Sequence, residues 1–195
     1  MRGRRGEGLD AAAESEVAEA IAIDRVVWYA GWADKLARVA GSANPVAGPY
    51  FNFSVPEPTG VVAPGASSLL GLVSVLVPPL VAGSTVVVFA SEHRPLPTVT
   101  FAEVLATSDV PGGVVNVLTG RQVELAPVLA AHRDVDALDV AGASPAIAAD
   151  LKRAAAGIVT RVLRAEPDTD WHRDPGLRGL LAFVETKTVG HTVGL

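Results

Sequence analysis

No cysteine occurs in the 195 residues, which excludes a disulfide scaffold, a thiolate metal site and a cysteine nucleophile in this chain. Positive charge is scarce as well. The formal net charge is −5, whereas a general nucleic-acid binder needs a basic patch to displace counterions. Long apolar runs are missing too. The longest, Leu69–Ala82, is interrupted by Gly71, Ser74, Pro78 and Pro79, too short and too broken to span a bilayer. The basic start MRGRRGEGLDAAAESEVAEA is followed by no apolar stretch of secretory type, so no signal peptide and no membrane association are expected, and a cytoplasmic protein is. Charged residues reach only 19%; so low a share suggests that part of the surface is covered by another surface.

What is present is apolar and periodic. Apolar residues make up 49%, enough for one ordinary domain with a core. Residues 1–13 carry no apolar face and are expected to be flexible. From Glu14 to Val39 the residues Val17, Ala20, Ile21, Val27, Trp28 and Leu36 keep a helical spacing. Trp28, Tyr29 and Trp32 within it are read as packing residues rather than a ligand stack. YFNFSVPEP, residues 50–58, alternates as a half-buried antiparallel strand.

From Gly60 onward short Val-rich runs alternate with helical segments. Strands are expected at Gly60–Ala63, Thr85–Phe89, Gly113–Leu118 and Ala137–Ala141. Helices are expected at Ser67–Val81, Thr100–Thr107, Val123–Ala131 and Pro145–Leu163. Valine runs with little alternation suit parallel strands covered on both faces. Repeated β-α units with short connections predict an α/β fold of Rossmann-like type: an open parallel sheet flanked by helices, with ligands outside the carboxyl ends of the strands. Residues 14–164 then form the main unit, 165–179 a polar linker and 180–195 a separate β ribbon. Residues near 50–58 and 181–189 are expected to make a small antiparallel arm.

Nucleophile and metal signals are poor. Ser67, Ser68, Ser91 and Ser144 fall near strand ends, but none lies in a G-x-S-x-G elbow; Ser67 and Ser68 read as helix caps. None of the four histidines pairs at i, i+4 spacing. His172, between Asp170 and Asp174, reads as part of a solvated acidic loop. No catalytic residue and no metal site are assigned.

Several stretches resemble the aldehyde dehydrogenase superfamily. WYAGWADKLARV (28–39) is similar to the segment before its cofactor domain, and PYFNFSVPEPTGVV (49–62) to its bridging strand and first nucleotide-binding strand. LVPPLVAGSTVVVFASEHRPL (76–96), VPGGVVNVLTG (110–120) and HRDVDALDVAG (132–142) resemble the units that follow. LLAFVETKTV (180–189) resembles the family's terminal oligomerisation strand. The resemblance implies a degenerate, truncated member without the catalytic domain.

By the same resemblance, Gly65, Ser91, Glu92 and Gly142 are the vestigial cofactor-binding residues. Gly65 and Ala66 replace a tryptophan-asparagine pair, so the asparagine amide that holds a developing oxyanion is missing. The ribose-binding lysine falls on Phe89 and the pyrophosphate-binding serine on Ala143. NAD or NADP is the implied cofactor class. A lost charge-assisted hydrogen bond removes about 1.5–3 kcal/mol, so binding is expected to be weak, with none held. The expected role is a pseudoenzyme that partners itself or a complete aldehyde dehydrogenase through the β arm. The alternatives are an NAD(P)-dependent oxidoreductase whose site a partner completes, and a deletion remnant.

Overall fold

The computed structural model describes residues 4–63, 68–141, 143–158, 160–163 and 169–193. The chain opens with helix α1 (Arg4–Ala30), a turn and the short α2 (Leu36–Ala40). Two antiparallel strands follow, β1 (Ser42–Asn44) and β2 (Tyr50–Pro58). Next come β3 (Val61–Ala63), α3 (Leu69–Val81), β4 (Val86–Phe89), α4 (Leu96–Ala106), β5 (Val115–Leu118), α5 (Gln122–Ala130), β6 (Ala137–Asp139), α6 (Pro145–Ala156) and β7 (Arg161–Leu163). Helix α7 (Arg178–Ala182) and β8 (Val184–Thr192) complete the order.

Five strands form a parallel sheet in the order β5-β4-β3-β6-β7. The chain starts in the middle, moves out to β5 and returns to the other side of β3. That reversal makes the sheet doubly wound. Its side chains divide two apolar layers. Val86 and Val88 point to one face, where Leu72, Val73 and Leu76 of α3 pack together with Ala22 and Tyr29 of α1. Phe89, Leu138 and Val140 point to the other, under Ala126 and Ala130 of α5 and Leu151 and Ala155 of α6. Helix α3 is buried on nearly all sides, between α1 and the sheet. Each fully buried Leu or Val in it contributes about 1.5–3 kcal/mol. Its first turn is closed by Ser68, whose hydroxyl accepts from the Gly71 amide at 3.1 Å.

The second sheet is antiparallel, in the order β1-β2-β8. β2 and β8 pair over nine residues, Tyr50 opposite Thr192 through Pro58 opposite Val184. Phe183, 1% exposed, roots the arm beside Ala137 of the parallel sheet. Arg161 of β7 donates to the carbonyls of Ala182 and Val184 at 3.1 and 2.8 Å. Among the described residues no helix is long and apolar enough to cross a membrane.

Several elements depart from the sequence expectations. α1 begins at Arg4, so residues 4–13, expected to be flexible, are helical; Ala11–Ala13 and Glu14 are strong helix formers, and extending a helix costs little. The helix expected to run on to Val39 stops at Ala30. Gly31 and the turn after it reorient the chain so that both Tyr29 and Leu36 are buried. The helix expected over Pro145–Leu163 ends at Ala156, capped by Gly157, and Arg161–Leu163 at the end of its expected span form the fifth strand, β7. There the Arg161 amide donates to the Asp136 carbonyl at 2.9 Å. The terminal strand begins at Val184 rather than 181, because residues 178–182 coil into α7. β1 has no counterpart among the strands expected from the sequence.

Candidate functional site

The carboxyl ends of β4 and β5 meet at a cavity of about 310 Å³ lined by Ser91, Glu92, Thr119, Gly120 and Arg121, among others. Two of the four predicted cofactor residues lie here. Glu92 follows β4, and its carboxylate accepts the backbone N–H of Gln122 at 2.5 Å. Gln122 is the first residue of α5, and Arg121 before it provides no side-chain cap. Glu92 therefore supplies the negative charge and the acceptor that a helix N-terminus lacks. The Ser91 hydroxyl accepts from the Arg94 amide at 3.3 Å and closes a local turn. Both side chains are engaged in holding loops. Gly65 and Gly142 lie outside the described residues, and so does Ala66.

Phe89 occupies the position that the resemblance gives to lysine. It is 2% exposed and faces the layer beneath α5 and α6, packed with the core there. The position that the resemblance gives to a donor is here part of the apolar interior. At the end of β6, the Ala143 amide donates to the Val140 carbonyl, and Ser144 caps α6 by accepting from the Ile147 amide at 3.4 Å. The acidic residues around His172 are turn formers. Asp170 accepts the His172 amide at 3.0 Å and Asp174 the Gly176 amide at 2.9 Å. Among the described residues no three His, Asp or Glu side chains converge as metal ligands.

A second polar site was not anticipated. A cavity of about 290 Å³ lies on the α3 side of the sheet, at the ends of β6 and β7, under the segment that leads into α7. Arg25 and Tyr29, one turn apart on α1, line it, with Ser74 of α3, Asp139 of β6 and Arg178 of α7. Arg25 is 7% exposed. It donates to the Ser74 hydroxyl at 3.0 Å and to the carbonyls of Trp171 and Arg173, each at 2.9 Å. Asp139 is 4% exposed, and Oδ1 accepts the Ala141 amide at 2.8 Å. Burial pushes its carboxyl up to about 6, against the opposing pull of that amide and of the Arg178 charge. Burial likewise lifts the Tyr29 hydroxyl to about 12, although Arg25 draws it down. The sequence carried a signal for this site: an aspartate inside the otherwise apolar run ALDVA. Nothing local tied it to Arg25, 114 positions earlier in the chain.

A larger groove, about 820 Å³, runs between α1 and the first turns of α3 and α4. It is mostly apolar, with His93 and Arg94 at its lip.

The aldehyde dehydrogenase family model matches residues 5–165. Among curated proteins, the mitochondrial aldehyde dehydrogenase of Sus scrofa is 32% identical over 158 residues, covering 74% of this chain and 30% of the relative. A (Z)-2-((N-methylformamido)methylene)-5-hydroxybutyrolactone dehydrogenase of Acinetobacter baylyi is 44% identical over 112 residues, covering 55% of this chain and 22% of the relative. Among solved structures, the NAD+ complex of a Bacillus cereus aldehyde dehydrogenase superposes with a TM-score of 0.65 at 25% identity, covering 73% of this chain and 29% of that one. The chain thus spans less than a third of the length of these relatives. With the doubly wound sheet in place and the family model matched across most of its length, the chain belongs to the aldehyde dehydrogenase family.

Proposed function

We propose that this chain is a non-catalytic member of its family, an oligomerisation or regulatory partner that docks through its β arm onto a complete aldehyde dehydrogenase or a second copy of itself. The contrast between the two sheets carries the reading. In the parallel sheet Phe89 is core, Glu92 caps α5 and Ser91 closes a turn. No cysteine is present to form a covalent adduct with an aldehyde. The arm keeps a full nine-residue pairing of β2 with β8, and among the described residues β8 is an edge strand. An unpaired edge accepts a further strand. Tyr50 and Phe51 beside it are about half exposed, and Phe51, Phe53 and His191 form one aromatic face.

A second reading is NAD(P)-dependent oxidation of an aldehyde with the active site completed by a partner. The cavity beside Glu92 supports it, as do the NAD+ complexes formed by structurally similar proteins. Light scattering on the chain alone and mixed with a complete aldehyde dehydrogenase tests the first reading. A self-associated or mixed species is expected; a monomer that ignores the enzyme overturns it. Aldehyde-dependent reduction of NAD or NADP, with and without that enzyme, separates the two. Turnover by the chain alone defeats the non-catalytic role.

A further inference from the structure

We propose that Asp139 and the segment 169–177 form a pH-sensitive latch: the segment lies closed over the cavity while the carboxyl is protonated and opens to water once the carboxylate forms. The closed form is the one seen. Arg25 reaches up from α1 and holds the carbonyls of Trp171 and Arg173. The Trp171 ring packs against Val75 and Ala141 below. Asp139 lies in the wall of the same cavity.

Among the described residues, the charged and titratable groups around it come from three parts of the chain. α1 provides Arg25 and Tyr29, α7 provides Arg178, and the segment itself provides Asp170, Arg173 and Asp174. α3 and β7 contribute only Ser74 and Leu163. Protonated, Asp139 is a neutral group with one accepted N–H bond, and the cavity tolerates it. Ionised, it becomes a buried anion with several lone-pair sites and a single hydrogen bond among the described residues. Arg25 is committed elsewhere by three bonds. If Arg25 turns toward the carboxylate, the carbonyls of Trp171 and Arg173 lose their donor. If it stays, the Arg178 charge offsets the anion only in part, since burial still holds the carboxyl up, and the rest of its solvation comes from water. Either route loosens the segment. The raised carboxyl, near 6, sets the range in which this happens.

Amide hydrogen exchange on the full chain at pH 5 and pH 7.5, corrected for intrinsic rates, tests the latch. In the unaltered protein, protection of the 169–177 amides is expected to fall on the order of tenfold between the two, while β5 and α5 stay protected. In Asp139→Asn, protection over 169–177 should be the same at both pH values. Unchanged protection in the native chain, or an equal loss in Asp139→Asn, overturns the proposal. A carbon-13 titration of the Asp139 carboxyl in the native chain gives a check that needs no variant. The loss of protection must level off as pH passes that midpoint; a loss that sets in only well above it also overturns the proposal.

Discussion

Replacing Phe89 with lysine puts back the side chain that the family resemblance expects at the end of the second parallel strand, and the structure predicts a loss. Phe89 is 2% exposed in the layer under α5 and α6. Emptying such a site by Phe→Ala costs about 3–5 kcal/mol. Lysine refills part of the volume but brings an ammonium whose burial costs several kcal/mol after relaxation, unless the stem carries it out to water. A restored charge-assisted bond to a dinucleotide returns about 1.5–3 kcal/mol, and only with the ligand bound. The expected net is a destabilisation of about 3 kcal/mol or more, a large part of the 5–15 kcal/mol typical of a folded domain. Urea unfolding of native protein, Phe89→Lys and Phe89→Leu measures it. Phe89→Lys should unfold at clearly lower urea, and Phe89→Leu should lie between it and the native chain. Calorimetric titration with NAD and NADP should show no gain in affinity. An unshifted urea midpoint together with micromolar dinucleotide binding by Phe89→Lys would mean that Phe89 fills a vacated ligand contact rather than core, and would refute this reasoning.

The Asp139 carboxyl keeps its proton to about pH 6 in the folded chain against an ordinary 3.8. The folded state therefore binds more protons between those values, and this group's contribution to stability falls as pH rises through them. Asp139→Asn should remove that fall and, at about 1.36 kcal/mol per unit of pKa, stabilise the chain at pH 7.5 by at most about 3 kcal/mol; urea midpoints of both proteins at pH 4.5 and 7.5 check it. Phe51→Ser, at a half-exposed arm position, should change unfolding by less than about 1 kcal/mol yet weaken association at least tenfold by sedimentation; equal association would discount the aromatic face. Gly83 turns the chain from α3 into β4 with φ +90°, so Gly83→Ala should cost about 1–2 kcal/mol, read as a lower thermal midpoint.

Much of the architecture was legible because its signals are local. The alternation in YFNFSVPEP marked β2 over residues 50–58. The valine runs marked strands that the structure pairs in parallel. Ser68 proved to be the cap of α3. The misreadings fall where two local signals compete. Ile158, Thr160 and Val162 suit a strand as well as a helix, and only pairing with β6 decides for β7; Gly157 was the one marker of the break. The helix stop at Ala30 depends on burying Tyr29 and Leu36 together.

The sequence by itself determined the order of helices and strands, the absence of a thiol nucleophile and the layered α/β class, since periodicity and composition act over a few residues. Tertiary structure alone decided the roles of single side chains. Glu92 became a cap only because β4 and β5 bring it to Gln122, 30 positions away. Phe89 became core only because α5 and α6 cover that face. Asp139 was set apart from solvent only when α1, α3 and the segment before α7 closed around it. A charge or a ring takes its chemistry from what surrounds it, and in this chain those surroundings come from distant parts of the sequence.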